Sequence, residues 1–244
     1  MIKRELYMNR IRPFIGGELI KVMTGIRRSG KSVMLELIKE ELAEAGVAPS
    51  QMISINFEDM RYSHLQTATA LHDEIIKRAE GIEGKAYLFF DEIQEVEGWE
   101  KCVNSLRVAL DCDIYITGSN AKLLSGELAT YIGGRYVEFV IYPFSFAEFL
   151  ELYHTIAPSD SIQQCFQKYL LAGGMPYLAN LRYEEEPSRQ YLTDLFNSVQ
   201  LKDIVKRNKI RDIDLLERII AYMTANVGTV FSASSLAKFF KNEQ

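Results

Sequence analysis

Gly25-Ile26-Arg27-Arg28-Ser29-Gly30-Lys31-Ser32 fills every fixed position of a phosphate-binding loop: a glycine, four free residues, then Gly-Lys-Ser. Glycines let the main chain curl so that successive N–H groups face phosphate oxygens. A helix starting at the loop's end adds the positive end of its dipole. Lys31 is placed to reach the β- and γ-phosphates, and the Ser32 hydroxyl to ligate Mg²⁺. The expected nucleotide contacts are therefore Gly25, Ile26, Arg27, Arg28, Ser29, Gly30, Lys31, Ser32 and Val33. Arg27 and Arg28 occupy free positions and receive no catalytic role. A glycine-rich strand-to-helix turn with an incidental lysine is the plainer alternative, and the flanking pattern weighs against it.

A second set of candidates follows apolar runs. Asp91-Glu92 comes directly after Leu88-Phe89-Phe90. An Asp at a strand end can hold Mg²⁺ through water, and a Glu beside it can deprotonate the water that attacks a γ-phosphate. The same two residue types also cap helices. Ile116-Thr117-Gly118-Ser119-Asn120 ends another apolar run, so Ser119 or Asn120 could stand between loop and acidic pair; either also suits a helix cap. Arg135, after Gly133-Gly134, is a candidate arginine finger acting in cis or on a neighbouring copy, or else a surface arginine at a strand start. Glu58 and Asp59 end a further strand and could face the same site.

Elements of a particular kind must carry these residues. Strands are expected at 19–23, 52–57, 86–90, 113–117 and 135–142, with helices at 33–45, 68–79 and 99–110 between them. Alternating strands and helices imply βαβ units: an α/β fold with a parallel five-stranded sheet flanked by helices. After Pro143 only helices are expected, at 146–153, 161–172, 187–206 and 213–226, punctuated by Pro158, Gly173-Gly174, Pro176 and Gly228.

Composition sets the bounds. In 244 residues, 48% hydrophobic and 25% charged content is ordinary for a globular chain, and the length allows two unequal domains. A net charge of -5 argues against a general nucleic-acid coat. Cys102, Cys112 and Cys165 form no CxxC pair and read as buried, reduced thiols. His64, His72 and His154 lack metal-ligand spacing. The N-terminus has no apolar signal segment, and no apolar run nears the roughly 20 residues that span a bilayer, so a soluble cytoplasmic protein is expected.

The runs GIRRSGKS, INFEDMR, YLFFDEIQEVEGWE, YITGSNAKLLSGELAT, GGRYVEFVIYPFSFAEFL and LLAGGMPYLA are together similar to a group of archaeal and bacterial AAA-type ATPases. A strand intervening between loop and acidic pair also looks like the branch that holds AAA+ ATPases. The resemblance implies an AAA+-like P-loop ATPase core over 1–146, an all-α lid over 147–226 and the start of a winged helix over 227–244. By that pattern a nuclease-like domain would follow, so the chain is read as truncated. It implies a Mg²⁺-dependent ATPase with Glu92 and Lys31 as catalytic groups, Asn120 or Ser119 as sensor, and Arg135 as finger within a homo-oligomer. ATP is favoured over GTP because Asn208-Lys209-Ile210-Arg211 departs from the guanine-reading pattern. The alternative is a module that senses nucleotide occupancy with negligible turnover. DNA is a candidate partner through Lys202, Lys206, Arg207, Lys209 and Arg211, a run that equally suits a solvated helix face.

Overall fold

The computed structural model describes residues 2–118, 132–199, 212–230 and 232–241, together with Val205 and Ile210. The chain divides into two compact units, Met1–Leu192 and Thr193–Gln244.

The first unit is built on five strands: β1 (Ile20–Thr24), β2 (Met52–Asn56), β3 (Ala86–Asp91), β4 (Cys112–Thr117) and β5 (Tyr136–Val140). All neighbours pair in parallel, in the order β2-β3-β4-β1-β5. The expected parallel five-stranded fold is therefore what forms, and β4 is the strand inserted between β1 and β3. Every residue of β1 and of β4 is buried, as central strands covered on both faces require.

Alternation within the strands sends side chains into two cores. Ile20, Val22, Leu88, Phe90, Ile114 and Ile116 face one side, which α3 (Ala68–Ala79) and α4 (Trp99–Ala109) cover. Met23, Phe89, Tyr115 and Phe139 face the other, where α1 (Glu5–Ile11) and α2 (Lys31–Glu44) pack. Helix α1 is absent from the sequence expectation, which treats the N-terminus only as charged. It forms because Tyr7, Met8 and Ile11 fall on one helical face and bury there.

One buried pair interrupts this apolar packing. Lys21 on β1 is hydrogen-bonded to Asp113 on β4, and both side chains are fully buried. Asp113 also accepts from Tyr115 Oη at 2.7 Å and from the Gly16 N–H at 2.6 Å. Burial holds the Lys21 ammonium below the usual lysine range despite the opposing pull of Asp113. A pair satisfied in this way adds little net stability.

Beyond β5, Ser145 caps α5 (Phe146–Tyr153) in a capping box with Glu148, and Ser161 caps α6 (Ile162–Ala172) with Gln164. α7 spans Glu185–Val199. Within the first unit Phe146 packs on Phe149, Phe166 and Tyr169. The second unit contains α8 (Ile213–Ala225), capped by Asp212, and α9 (Ala233–Lys241). The five basic residues considered for DNA contact lie outside the described residues.

Candidate functional site

β1 delivers the chain into the loop, and α2 takes it away. Gly25 adopts φ +142°, and a Cβ there would overlap the carbonyl oxygen of Ile141, which follows β5. Only glycine fits this approach. Ile141 N–H in turn donates to the Thr24 carbonyl at 2.7 Å, so the end of β5 grips the loop's entry. Gly30, with φ 99°, is the N-cap of the 14-residue α2, which begins at Lys31.

The interior of the loop is polar and enclosed. Lys31 is 5% exposed, and its Nζ donates to the carbonyls of Gly25 at 3.2 Å and Ile26 at 3.1 Å. Burial lowers its pKa, against the pull of the Glu92 and Asp91 carboxylates. The Ser29 hydroxyl is fully buried and has no hydrogen-bond partner among the described residues. Ser32, Val33, Ile26 and Arg28 are exposed, and Arg27 is half-buried. A buried ammonium on main-chain carbonyls, an orphaned hydroxyl and a helix start together fit an anionic group such as a polyphosphate.

Asp91 and Glu92 reach the same end of the sheet by a different route. Asp91 closes β3 and is 6% exposed. Its Oδ1 accepts from the Thr117 hydroxyl, and its Oδ2 accepts from Asn56 Nδ2 at 3.1 Å. Glu92 follows in the left-handed region, φ 54°, with its N–H donated to Thr117 Oγ1 at 3.0 Å. Its carboxylate accepts from Gln94 Nε2. A non-glycine residue in that conformation stores strain that the surrounding bonds hold in place. The donor set of Asp91 leaves a carboxylate oriented between β2 and β4, and Ser32 offers an exposed hydroxyl; both are oxygen groups of the kind Mg²⁺ takes.

The remaining candidates are placed as follows. Ser119 and Asn120 lie outside the described residues. Arg135 is not brought to the loop. It precedes Tyr136, which pairs with Ile20 at the opposite end of β1 from Gly25. That separation is about 16 Å along the strand. Its guanidinium binds Asn104 Oδ1 at 2.8 Å. A cis finger therefore has no support from its position, because β5 runs parallel to β1 and starts at the far edge. Asp59 is taken up by Arg61 through Oδ2 at 2.5 Å, and Glu58 N–H turns back to Asn56 Oδ1 at 2.8 Å.

Thr117, Asn56, Gln94 and Arg4 are contributors that sequence reasoning passed over. Thr117 and Asn56 did carry a signal: each is the polar residue closing a strand at its C-terminal end, where open α/β sheets bind ligands. Arg4 carried none, since its partners lie far along the chain. The three cysteines are buried and free, and no group of three metal-ligating side chains occurs among the described residues. No described helix is long and apolar enough to cross a membrane.

Comparison with known proteins supplies the family. An uncharacterised protein of Haemophilus influenzae is 38% identical over 245 residues, covering 100% of this chain and 60% of the relative. An uncharacterised protein of Methanocaldococcus jannaschii is 32% identical over 236 residues, covering 92% of this chain and 51% of the relative. The chain thus spans between half and three-fifths of the curated relatives it matches. AMPPCP-bound DnaA from Aquifex aeolicus aligns with 13% identity and a TM-score of 0.49, covering 93% of this chain and 71% of that one. Residues 163–243, where the resemblance implied a lid and the opening of a winged helix, match a domain of unknown function. Residues 18–150, more than half of the chain, match the AAA domain. That span runs from just before β1 into α5 and holds both the Gly25–Ser32 loop and Asp91-Glu92, and the chain belongs to the AAA-domain family.

Proposed function

We propose that this chain binds ATP with Mg²⁺ in the Gly25–Ser32 loop and hydrolyses it as a conformational switch. The supporting observation is convergence: β1 runs into the loop and β3 into Asp91-Glu92 at the same end of the parallel sheet, and Thr117 at that end of the intervening β4 bonds both acidic residues. Lys31 would leave its two carbonyls for phosphate oxygens, and Ser32 and Asp91 would hold the metal. Mg²⁺ neutralises charge on the phosphates and fixes their geometry.

Glu92 would take a proton from a water whose oxygen attacks the γ-phosphorus. The bond from that phosphorus to the bridging oxygen breaks, leaving ADP and inorganic phosphate. Gln94 binds one oxygen of Glu92, and the other would take the proton. Ser119 or Asn120 would sense the γ-phosphate. The switch would act between the core, 1–146, and the helices of 147–226, with 227–244 opening a third element. Arg135, remote from its own loop, would serve a neighbouring copy in a homo-oligomer. DNA contact through the basic run near 202–211 is a subsidiary part of the reading.

A second reading is occupancy sensing with negligible turnover, favoured by the bond that Gln94 already makes to Glu92. Phosphate release from ATP, with and without Mg²⁺, by the unmodified chain and Glu92→Gln separates the two. Turnover lost in Glu92→Gln with binding retained supports the hydrolytic switch. Binding without turnover in both supports the sensor. Absence of ATP binding overturns both.

A further inference from the structure

Arg4 is 3% exposed, and it enters α1 from the left-handed region at φ 46°. Its guanidinium joins three segments that are remote in sequence. Nη1 donates to the Ser29 carbonyl at 2.9 Å and Nη2 to the Tyr142 carbonyl at 2.8 Å. Nε donates to Glu148 Oε1 at 2.8 Å, with Nη2 also 3.4 Å from Oε2. The rings of Tyr7 and Phe144 lie 4.6 and 5.1 Å from the guanidinium carbon. Glu148 is itself fixed by the Ser145 N–H at 2.8 Å and hydroxyl at 3.0 Å. The cation is thus held rigidly by groups outside the loop, with one arm reaching into it.

That arm acts on a particular peptide unit. The carbonyls of Gly25 and Ile26 bind Lys31, and that of Gly30 accepts the Met34 N–H. The Ser29 carbonyl is captured by a side chain from outside the loop and its helix. A peptide is planar, with its N–H opposed to its C=O. Turning the Ser29 oxygen toward Arg4 therefore turns the Gly30 N–H away from it. The unpartnered Ser29 hydroxyl lies on the same unit.

We propose that Arg4 is a positioning residue of the nucleotide site, fixing the Ser29–Gly30 peptide so that the Gly30 N–H is presented to a phosphate oxygen. The proposal rests on the phosphate-binding reading of Gly25–Ser32. Arg4→Lys keeps the charge beside Glu148 but lacks the fork that reaches Glu148, the Tyr142 carbonyl and the Ser29 carbonyl together. Leu71→Ala is the comparison for loosening alone: Leu71 is fully buried on α3 in the core on the opposite side of the sheet from α1, away from the Arg4 contacts.

The test is the ATP dissociation constant and melting temperature of the unmodified chain, Arg4→Lys, Leu71→Ala and Lys31→Ala. Arg4→Lys is expected to weaken ATP binding about tenfold. Leu71→Ala, at a comparable loss of melting temperature, should weaken it by less than about threefold. Parent-like affinity in Arg4→Lys, or equal weakening in Leu71→Ala, overturns the role of Arg4 while the loop reading stands. Parent-like affinity in Lys31→Ala, or no binding by the unmodified chain, overturns the loop reading and the proposal with it.

Should Arg4→Lys fail to fold, amide exchange on the unmodified chain decides. Linkage requires ATP to steady Arg4's seat, slowing exchange in Glu5–Ile11 as well as in Lys31–Met34. Slowing confined to Lys31–Met34 overturns the proposal.

Discussion

Thr117 donates its hydroxyl hydrogen to Asp91, and its oxygen accepts the Glu92 N–H at 3.0 Å. A threonine hydroxyl has one hydrogen to give and lone pairs to receive, and here both capacities are spent on consecutive residues of the neighbouring strand's end. One side chain on β4 thus holds the Asp91 carboxylate at the end of β3 and the main chain of Glu92 after it. The left-handed turn at Glu92 is tolerable because its N–H is tied down at that point.

Thr117→Val keeps the shape and removes both bonds. Leaving Asp91 Oδ1 and the Glu92 N–H short of a partner is expected to cost about 1–3 kcal/mol of stability. Phosphate release should fall at least about tenfold, with ATP affinity changed far less, because the pair acts on the reaction more than on binding. Thr117→Ser should restore the rate. Retained turnover in Thr117→Val would remove Thr117 from the site.

The alkaline behaviour of the loop depends on Lys31. Burial places its pKa below the usual lysine range, Glu92 and Asp91 notwithstanding. Between that lowered value and the ordinary one, the unfolded chain carries the proton and the folded chain does not. Stability from this group therefore rises with pH across that window. ATP affinity should fall across the same window, because the ammonium that meets the phosphates is lost. Binding there should take up a proton, since phosphate drives Lys31 back to its charged form. Calorimetry in buffers of different ionisation heat measures that uptake, and Lys31→Arg should abolish it.

Gly25→Ala must place a methyl group against the Ile141 carbonyl and hold φ +142° with a side chain attached. The loop entry cannot move without breaking the Ile141–Thr24 hydrogen bond. A stability loss on the order of 2 kcal/mol or more is expected. Urea unfolding measures it, and a variant as stable as the parent would show that β5 does not grip the loop.

Burial pushes the Cys102 thiol up to about 12 and the Cys112 thiol up to about 11, with Asp73 adding to the first and Asp113 to the second. Thiolate is the reactive form, so both should resist iodoacetamide at neutral pH in the folded protein and react once it is unfolded. Mass spectrometry after brief labelling distinguishes the states.

Local pattern was enough for much of this molecule. The loop's fixed glycines, lysine and serine, the alternation of strands with helices, and the apolar run ending in Asp91-Glu92 are all short-range features, and the elements formed close to where periodicity places them. Helix α3 occupies Ala68–Ala79 and α5 occupies Phe146–Tyr153, matching the expectation. Each such segment carries its own period or cap, so neighbours along the chain suffice to specify it.

What neighbours in sequence could not decide was which distant segments would meet. That β4 rather than another strand separates β1 from β3 is settled by packing across the whole sheet, and it is what brings Thr117 against Asp91. The same parallel order carries Arg135 to the edge opposite the loop. Arg4 and Glu148 stand 144 positions apart, and their pairing exists only because α1 and α5 converge beside Ser29. Such contacts follow from burial of one common core, a property of the folded chain that no local stretch contains.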